Sequence, residues 1–221
     1  MAHSRAKRVL ARAVLRAAGW RTDGGPPAEK RYVMIAAPHT SNWDFVWVVA
    51  FAWALDIDMR WVGKEELFRW PFGRAMRWFG GIPVRRKARA NQVEQLAERL
   101  RRADTLALVI PAEGTRGWVA RWKSGFYHTA RAADVPVVLG FLDYGRRVGG
   151  FGPAIRLTGD VRRDMDRIRA FYAPIRGKYH ASTGTIALAE ELTASGPVGG
   201  DLVPGDAPRP AIPSPTRTLP S

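Results

Sequence analysis

The stretch RYVMIAAPHTSNWDFVWVVAFAWAL, residues 31–55, decides how this chain folds. RYVMIAAP reads as a buried strand that Pro38 ends. From Phe45 to Leu55 eleven apolar residues run without a break. They read as a buried helix with Ser41 or Asn42 at its N-cap. His39 therefore stands at a strand-to-helix junction, five residues before Asp44.

The same alternation continues outward. DMRWVG (58–63) is a strand. In KEELFRWPFGRAMRWFGG (64–81), Leu67, Phe68, Phe72, Ala75, Met76, Trp78 and Phe79 share a broad face and Arg69, Arg74 and Arg77 lie opposite. Pro71 divides this segment into a turn and a short helix. IPV (82–84) is a brief strand, and Val93, Leu96, Ala97 and Leu100 recur at helical spacing within 86–104. TLALVI (105–110) is a strand halted by PAEGTRG, GFYHTARAA (125–133) a helix, and VPVVLGFL (135–142) another strand. Strands alternating with helices make this an α/β protein: a single domain with a mainly parallel, mixed sheet flanked by helices.

Upstream, RAKRVLARAVLRAAGW (5–20) puts Val9, Leu10, Ala13, Val14, Ala17 and Trp20 on one arc, with Arg5, Arg8, Arg12 and Arg16 on the other side. An apolar stripe ending in Trp opposite arginines suits a helix lying in a membrane interface, and equally one packed on its own domain. From Ser195 onward seven of the sixteen prolines and no aromatic residue fall in a tail that reads as disordered. The expected organisation is a basic amphipathic helix over 1–21, an α/β domain over 22–194 and a Pro/Gly-rich tail over 195–221.

Composition narrows the chemistry. There is no cysteine among the 221 residues, which excludes disulfides, thiolate metal sites and a cysteine acyl-enzyme. The longest apolar run is well short of the roughly 20 residues of a membrane-spanning helix, and no signal core follows the basic N-terminus, so a cytoplasmic location is expected. The net charge is +15, concentrated in residues 1–21 and 60–131. A field of that sign attracts nucleic acid, anionic lipid or phosphorylated substrates without choosing among them.

In such sheets polar groups gather in loops beyond the carboxyl ends of strands. A carboxylate on one nitrogen of His39 would fix the imidazole tautomer and leave the other nitrogen to take a proton. A structural histidine beside a helix-capping acid is the plainer alternative. Ser41 is better placed as a helix-cap acceptor than as a nucleophile, since no Gly-x-Ser-x-Gly elbow exists. His3, His128 and His180 lack zinc-ligand spacing, so no metal is expected. In EGTRG, Gly114 permits close backbone approach and Arg116 offers a planar fork to a phosphate; Arg85 and Arg86 can serve likewise. Each is also an ordinary surface arginine.

HTSNWD, GKEELFRWPFGRAMRWFGGIPVRR, PAEGTRG and VPVVLGFLDY, in this order and spacing, resemble the 1-acylglycerol-3-phosphate acyltransferase family of glycerolipid synthesis, from about Val33 to Lys178. The resemblance implies a glycerol-3-phosphate acyltransferase-like fold and transfer of an acyl group from acyl-CoA or acyl-carrier protein to the hydroxyl of a lysophospholipid. The expected acceptor is 1-acylglycerol-3-phosphate, giving phosphatidic acid. By the same resemblance His39 matches the catalytic base and Asp44 its carboxylate partner. Lys64 and Arg86 match the basic positions of the second block, Glu113, Gly114, Thr115 and Arg116 the block that contacts the glycerol phosphate, and Pro136 the proline associated with the acyl donor. No cofactor beyond the acyl donor is implied.

Two positions depart from the family's usual pattern. Pro38 stands where Asn is common, and Pro111-Ala112 where many members have Phe-Pro. Neither change removes a proton-transferring or phosphate-binding group. The implied setting is the inner face of the cell membrane, with an anionic lipid surface as partner, the basic N-terminal helix as anchor, and Trp61, Trp70 and Trp78 extending it. Other lyso-lipid acceptors, such as an ornithine lipid or a glycolipid, remain open. So does a nucleic-acid-binding module, although no recognition helix or RNA-binding aromatic strand motif is present and no specific nucleic acid is expected as partner.

Overall fold

The computed structural model describes residues 4–84 and 89–193. Among them seven segments pair into one sheet: β1 (Arg21–Asp23), β2 (Arg31–Ala37), β3 (Met59–Lys64), β4 (Gly81–Val84), β5 (Leu106–Ile110), β6 (Val137–Asp143) and β7 (Val148–Ile155). Their spatial order is β1-β7-β6-β2-β5-β3-β4. Every pairing is parallel except the β6–β7 hairpin.

The helices are α1 (Arg5–Ala17), α2 (Trp43–Ala54), α3 (Gly73–Trp78), α4 (Arg89–Arg102), α5 (Gly125–Ala133), α6 (Val161–Tyr172) and α7 (Glu190–Thr193). The period-2 alternation of β2 sends Val33, Ile35 and Ala37 to the face covered by α4, α5 and α6, and Tyr32 and Met34 to the face covered by α2. A central strand buried on both sides must be apolar throughout, which is why RYVMIAA carries no alternating polar set. α2 is apolar all round because it lies between the sheet and α1, which packs on it through Ala11, Leu15 and the following Trp20.

Three findings differ from the sequence reading. First, β1, β7 and α6 have no counterpart in it. The β7 sequence VGGFGPAI is a poor strand former, and its glycines serve close approach instead. A Cβ on Gly150 would lie 1.7 Å from the Asp23 carbonyl oxygen, one on Gly149 2.5 Å from the Phe51 ring, and one on Gly152 2.3 Å from the Phe171 ring. Residue 21, assigned to the N-terminal helix by composition, begins a strand of the sheet.

Second, α1 does pack on its own domain, but of the expected arc only Trp20 is buried. Ala11 and Leu15 are buried, while Val9, Leu10, Ala13, Val14 and Ala17 are exposed. Arg8 pairs with Asp56 at 3.1 Å and Arg12 Nε donates to the Ala54 carbonyl at 3.2 Å, so two arginines of the polar side hold the helix down. Third, Trp61 is 9% exposed and belongs to the core, whereas Trp70 at 94% and Trp78 at 61% lie on the surface. Trp61 therefore does not extend an outer aromatic face. The tail from residue 195, and Arg85 and Arg86 after β4, lie outside the described residues.

Candidate active site

All parallel strands of the sheet end on one edge. β2 and β5 are neighbours there, yet the chain leaves β2 for α2 on one face and β5 for α5 on the other. Right-handed crossovers running in opposite directions require this, and the point where they diverge opens a crevice between two loops. HTSN forms one lip and PAEGTRG the other.

His39 follows β2 directly, and Asp44 lies in the first turn of α2, where the helix dipole favours a negative charge. His39 Nδ1 is 3.2 Å from Asp44 Oδ2. The same oxygen accepts the Thr40 and Ser41 backbone N–H groups at 2.8 and 2.9 Å, and the Tyr144 hydroxyl donates to Oδ1 at 2.6 Å. Asp44 is 3% exposed. Burial pushes its carboxyl up, but the bonds from His39, Tyr144 and the Ser41 amide outweigh it and hold the group below its ordinary value. The arrangement orients an imidazole through one nitrogen and leaves Nε2 for a proton.

Ser41 Oγ accepts from the Trp43 N–H at 3.2 Å, a short loop cap, so its hydroxyl is occupied locally as expected. The N-cap residue Asn42 makes no side-chain cap bond.

Glu113 belongs to the block that the family resemblance places against the glycerol phosphate. Only 2% exposed, it turns under the first loop, and both carboxylate oxygens lie 3.2 Å from the His39 backbone nitrogen. Burial raises its carboxyl to about 7, against the pull of the His39 N–H, and the nearby Asp44 charge adds to the rise. Glu113 ties the two lips of the crevice together.

Gly114 has a φ of +67°, and a Cβ there would lie 2.6 Å from Lys123 Nζ. The close approach that this glycine permits is to a lysine stem crossing the loop. Lys123 is also anchored through its backbone N–H to the Ala112 carbonyl at 2.8 Å. Thr115 and Arg116 are exposed in the same loop, and Thr115 Oγ1 accepts the Gly117 N–H at 3.5 Å. Lys64 is the exposed last residue of β3. Counted on from the Trp61–Val109 pairing, it comes level with Ala112, two strand spacings or about 10 Å from the line of β2. His39, Asp44, Lys64 and residues 113–116 thus share one edge of the sheet.

Pro136 does not join them. It is buried at the start of β6, and its carbonyl accepts the Val33 N–H at 3.1 Å. Val33 stands six residues before His39, about 20 Å away along the strand. Its link to the acyl donor stays with the family resemblance; in the fold it immediately precedes β6, at the opposite end of the sheet from His39.

Sequence reasoning passed over Tyr144, Lys123 and the segment after α6. Tyr179 N–H donates to Thr40 Oγ1 at 3.2 Å, a Cβ on Gly177 would meet Thr40 and Pro38, and Lys178 Nζ lies 5.4 Å from the Trp43 ring centroid. The one available signal was for Tyr144, which follows an apolar strand at its carboxyl end.

A family model described as Acyltransferase matches residues 22–138, more than half of the chain. The chain belongs to the acyltransferase family. The matched span includes both lips of the crevice in this acyltransferase, and the reading as a nucleic-acid-binding module gives way to an enzyme of acyl transfer. The crystal structure of the 1-acyl-sn-glycerophosphate (LPA) acyltransferase PlsC from Thermotoga maritima is similar at a TM-score of 0.51 and 15% identity, over 73% of this chain and 74% of that one. At that identity the likeness concerns the fold, the mainly parallel α/β sheet expected from the sequence. A search of curated proteins finds no match. Among the described residues no helix of this acyltransferase is long and apolar enough to cross a membrane.

Proposed function

We propose that this acyltransferase moves a fatty acyl group from acyl-CoA or acyl-carrier protein to the free hydroxyl of 1-acylglycerol-3-phosphate, at the inner surface of the cell membrane. The His39–Asp44 pair, set across a crevice from the Gly114–Arg116 loop, carries this reading. His39 Nε2 takes the proton of the acceptor hydroxyl as the oxygen attacks the thioester carbonyl. The tetrahedral intermediate then collapses, the carbon–sulfur bond breaks, and the imidazolium returns its proton to the departing thiolate. A thioester is already activated, so no covalent enzyme intermediate is needed.

Arg116, with Lys64 and Lys123 on the same edge and Arg86 by family resemblance, supplies cations for the acceptor phosphate. Holding two reactants together can contribute about 7–11 kcal/mol, more than a general base alone. Glu113 serves this site as a positioning residue that fixes the His39 backbone.

The surface supports an approach to lipid. Val9, Leu10 and Val14 of α1, Trp43 and Val46 of α2, and Leu67, Trp70, Phe72 and Trp78 around α3 are exposed. Arg5 and Arg16 of α1 and Arg69 and Arg74 around α3 are also exposed, each worth about 1 kcal/mol near an anionic bilayer.

The test is a panel of lyso-lipid acceptors presented on anionic liposomes with labelled acyl-CoA or acyl-carrier protein. Phosphatidic acid is the expected product. Transfer to an ornithine lipid or glycolipid with lysophosphatidic acid left untouched would replace the acceptor, and no transfer from either donor would overturn the reading.

A further inference from the structure

The two oxygens of Asp44 are held by different parts of the chain. Oδ2 takes two backbone amides and His39 Nδ1, all from the loop after β2. Oδ1 takes the Tyr144 hydroxyl, which comes from the β6–β7 turn 100 residues away. A carboxylate bound on one oxygen alone can swing about its Cβ–Cγ bond, and a donor on the second oxygen stops that rotation.

We propose that Tyr144 is a positioning residue of the transfer reaction: its hydroxyl locks the Asp44 carboxylate so that Oδ2 stays on His39. This rests on the reading of His39 as the base, and it draws the N-terminal segment into the catalytic apparatus. The Tyr144 ring meets the Trp20 ring edge-on at 5.0 Å, and Trp20 in turn packs at 5.5 Å on Trp47 and 6.0 Å on Phe51 of α2. The Tyr144 backbone N–H donates to the Arg176 carbonyl at 2.9 Å. Three otherwise separate segments, before β1, after β6 and after α6, therefore converge on one phenol.

Tyr144 transfers no proton in the reaction. Burial, and next the bond to Asp44, hold its ionisation above the ordinary value, so it stays a donor across the working pH range. The other titratable groups facing the pair are Glu113 from the loop after β5 and Tyr179 from the segment after α6. Lys178 of that segment lies over Trp43, and Asp143 beside Tyr144 is paired with Arg146 at 2.7 Å.

The test is Tyr144→Phe in the full chain, which keeps the ring on Trp20 and removes the hydroxyl. Turnover of short-chain acyl-CoA and lysophosphatidic acid is followed against pH beside His39→Ala. The expected result is a fall in kcat of roughly tenfold or more with both KM values unchanged. The acid limb of kcat/KM should move to higher pH, because a carboxylate that has lost a donor holds the imidazolium proton more tightly. NMR titration of the His39 imidazole reads the same displacement without turnover. Wild-type kcat and an unmoved His39 titration in Tyr144→Phe, with His39→Ala inactive, would overturn the proposal alone. Retained turnover in His39→Ala would overturn the base and Tyr144's role with it.

Discussion

The loops after β2 and β5 meet across one crevice and share a hydrogen bond, yet they hold their charges in opposite ways. In the first loop Asp44 is buried and saturated with donors, and its carboxyl is held below its ordinary value. In the second, Glu113 is as deeply buried but faces a single backbone amide, and its carboxyl rises to about 7. Beyond Glu113 the second loop runs into solvent with Thr115 and Arg116 exposed, while in the first Thr40 and Ser41 are buried. Under the proposed function, the difference separates two tasks. A proton-transferring imidazole needs a fixed partner and a dry setting, whereas a cation that receives a phosphate must stay hydrated until its ligand arrives.

This division is open to attack at several points. His39→Ala should lower kcat by roughly 10²- to 10⁴-fold, with the circular dichroism melt little changed because the side chain lies in a loop. Turnover close to wild type would remove the first loop from the chemistry. Arg116→Ala removes a charge-assisted contact worth about 1.5–3 kcal/mol, or about 10- to 150-fold, expected as a raised KM for the lysophosphatidic acid acceptor. If that substitution left acceptor kinetics unchanged, or lowered kcat alone, the division between the two loops would fail.

Glu113→Gln carries the smallest expected effect, read in stability, because the Gln amide oxygen can still accept the His39 N–H. The Glu113 carboxyl binds its proton more tightly folded, at about 7, than at its ordinary 4.5. The folded state therefore holds more protons between those values, and this group costs stability as pH rises through that window. Gln cannot titrate, so the variant should show a flatter dependence of unfolding free energy on pH there and a gain above pH 7. Asp44 has the opposite sign: its contribution is present above the ordinary carboxylate value and is lost in acid. An unchanged slope in Glu113→Gln, measured by urea unfolding across that window, would show that Glu113 ionises freely.

Much of this was legible in the one-dimensional pattern. The strands from β2 to β6 and the helices α2 to α5 were readable because a sheet covered on both faces demands apolar runs, and such runs are local. The His39–Asp44 pair followed from spacing, since a helix beginning between them brings the second side chain back to the first. For Glu113 family position says which block the residue belongs to, not which way its side chain turns, and burial under His39 decides that. Pro136 stands at the amino end of its strand, away from the loops at the carboxyl ends, so its link to the acyl donor rests on family position alone.

By itself, then, the order of apolar segments determined an α/β sheet with polar loops at one edge, and spacing put His39 and Asp44 within reach of each other there. Only the tertiary structure decided that α1 turns Val9, Leu10 and Val14 outward and that Tyr144 reaches Asp44 from 100 residues away. The reason is physical: period and composition act over one or two turns of chain, whereas a buried carboxylate takes its donors from whatever segments the packing of the sheet brings beside it.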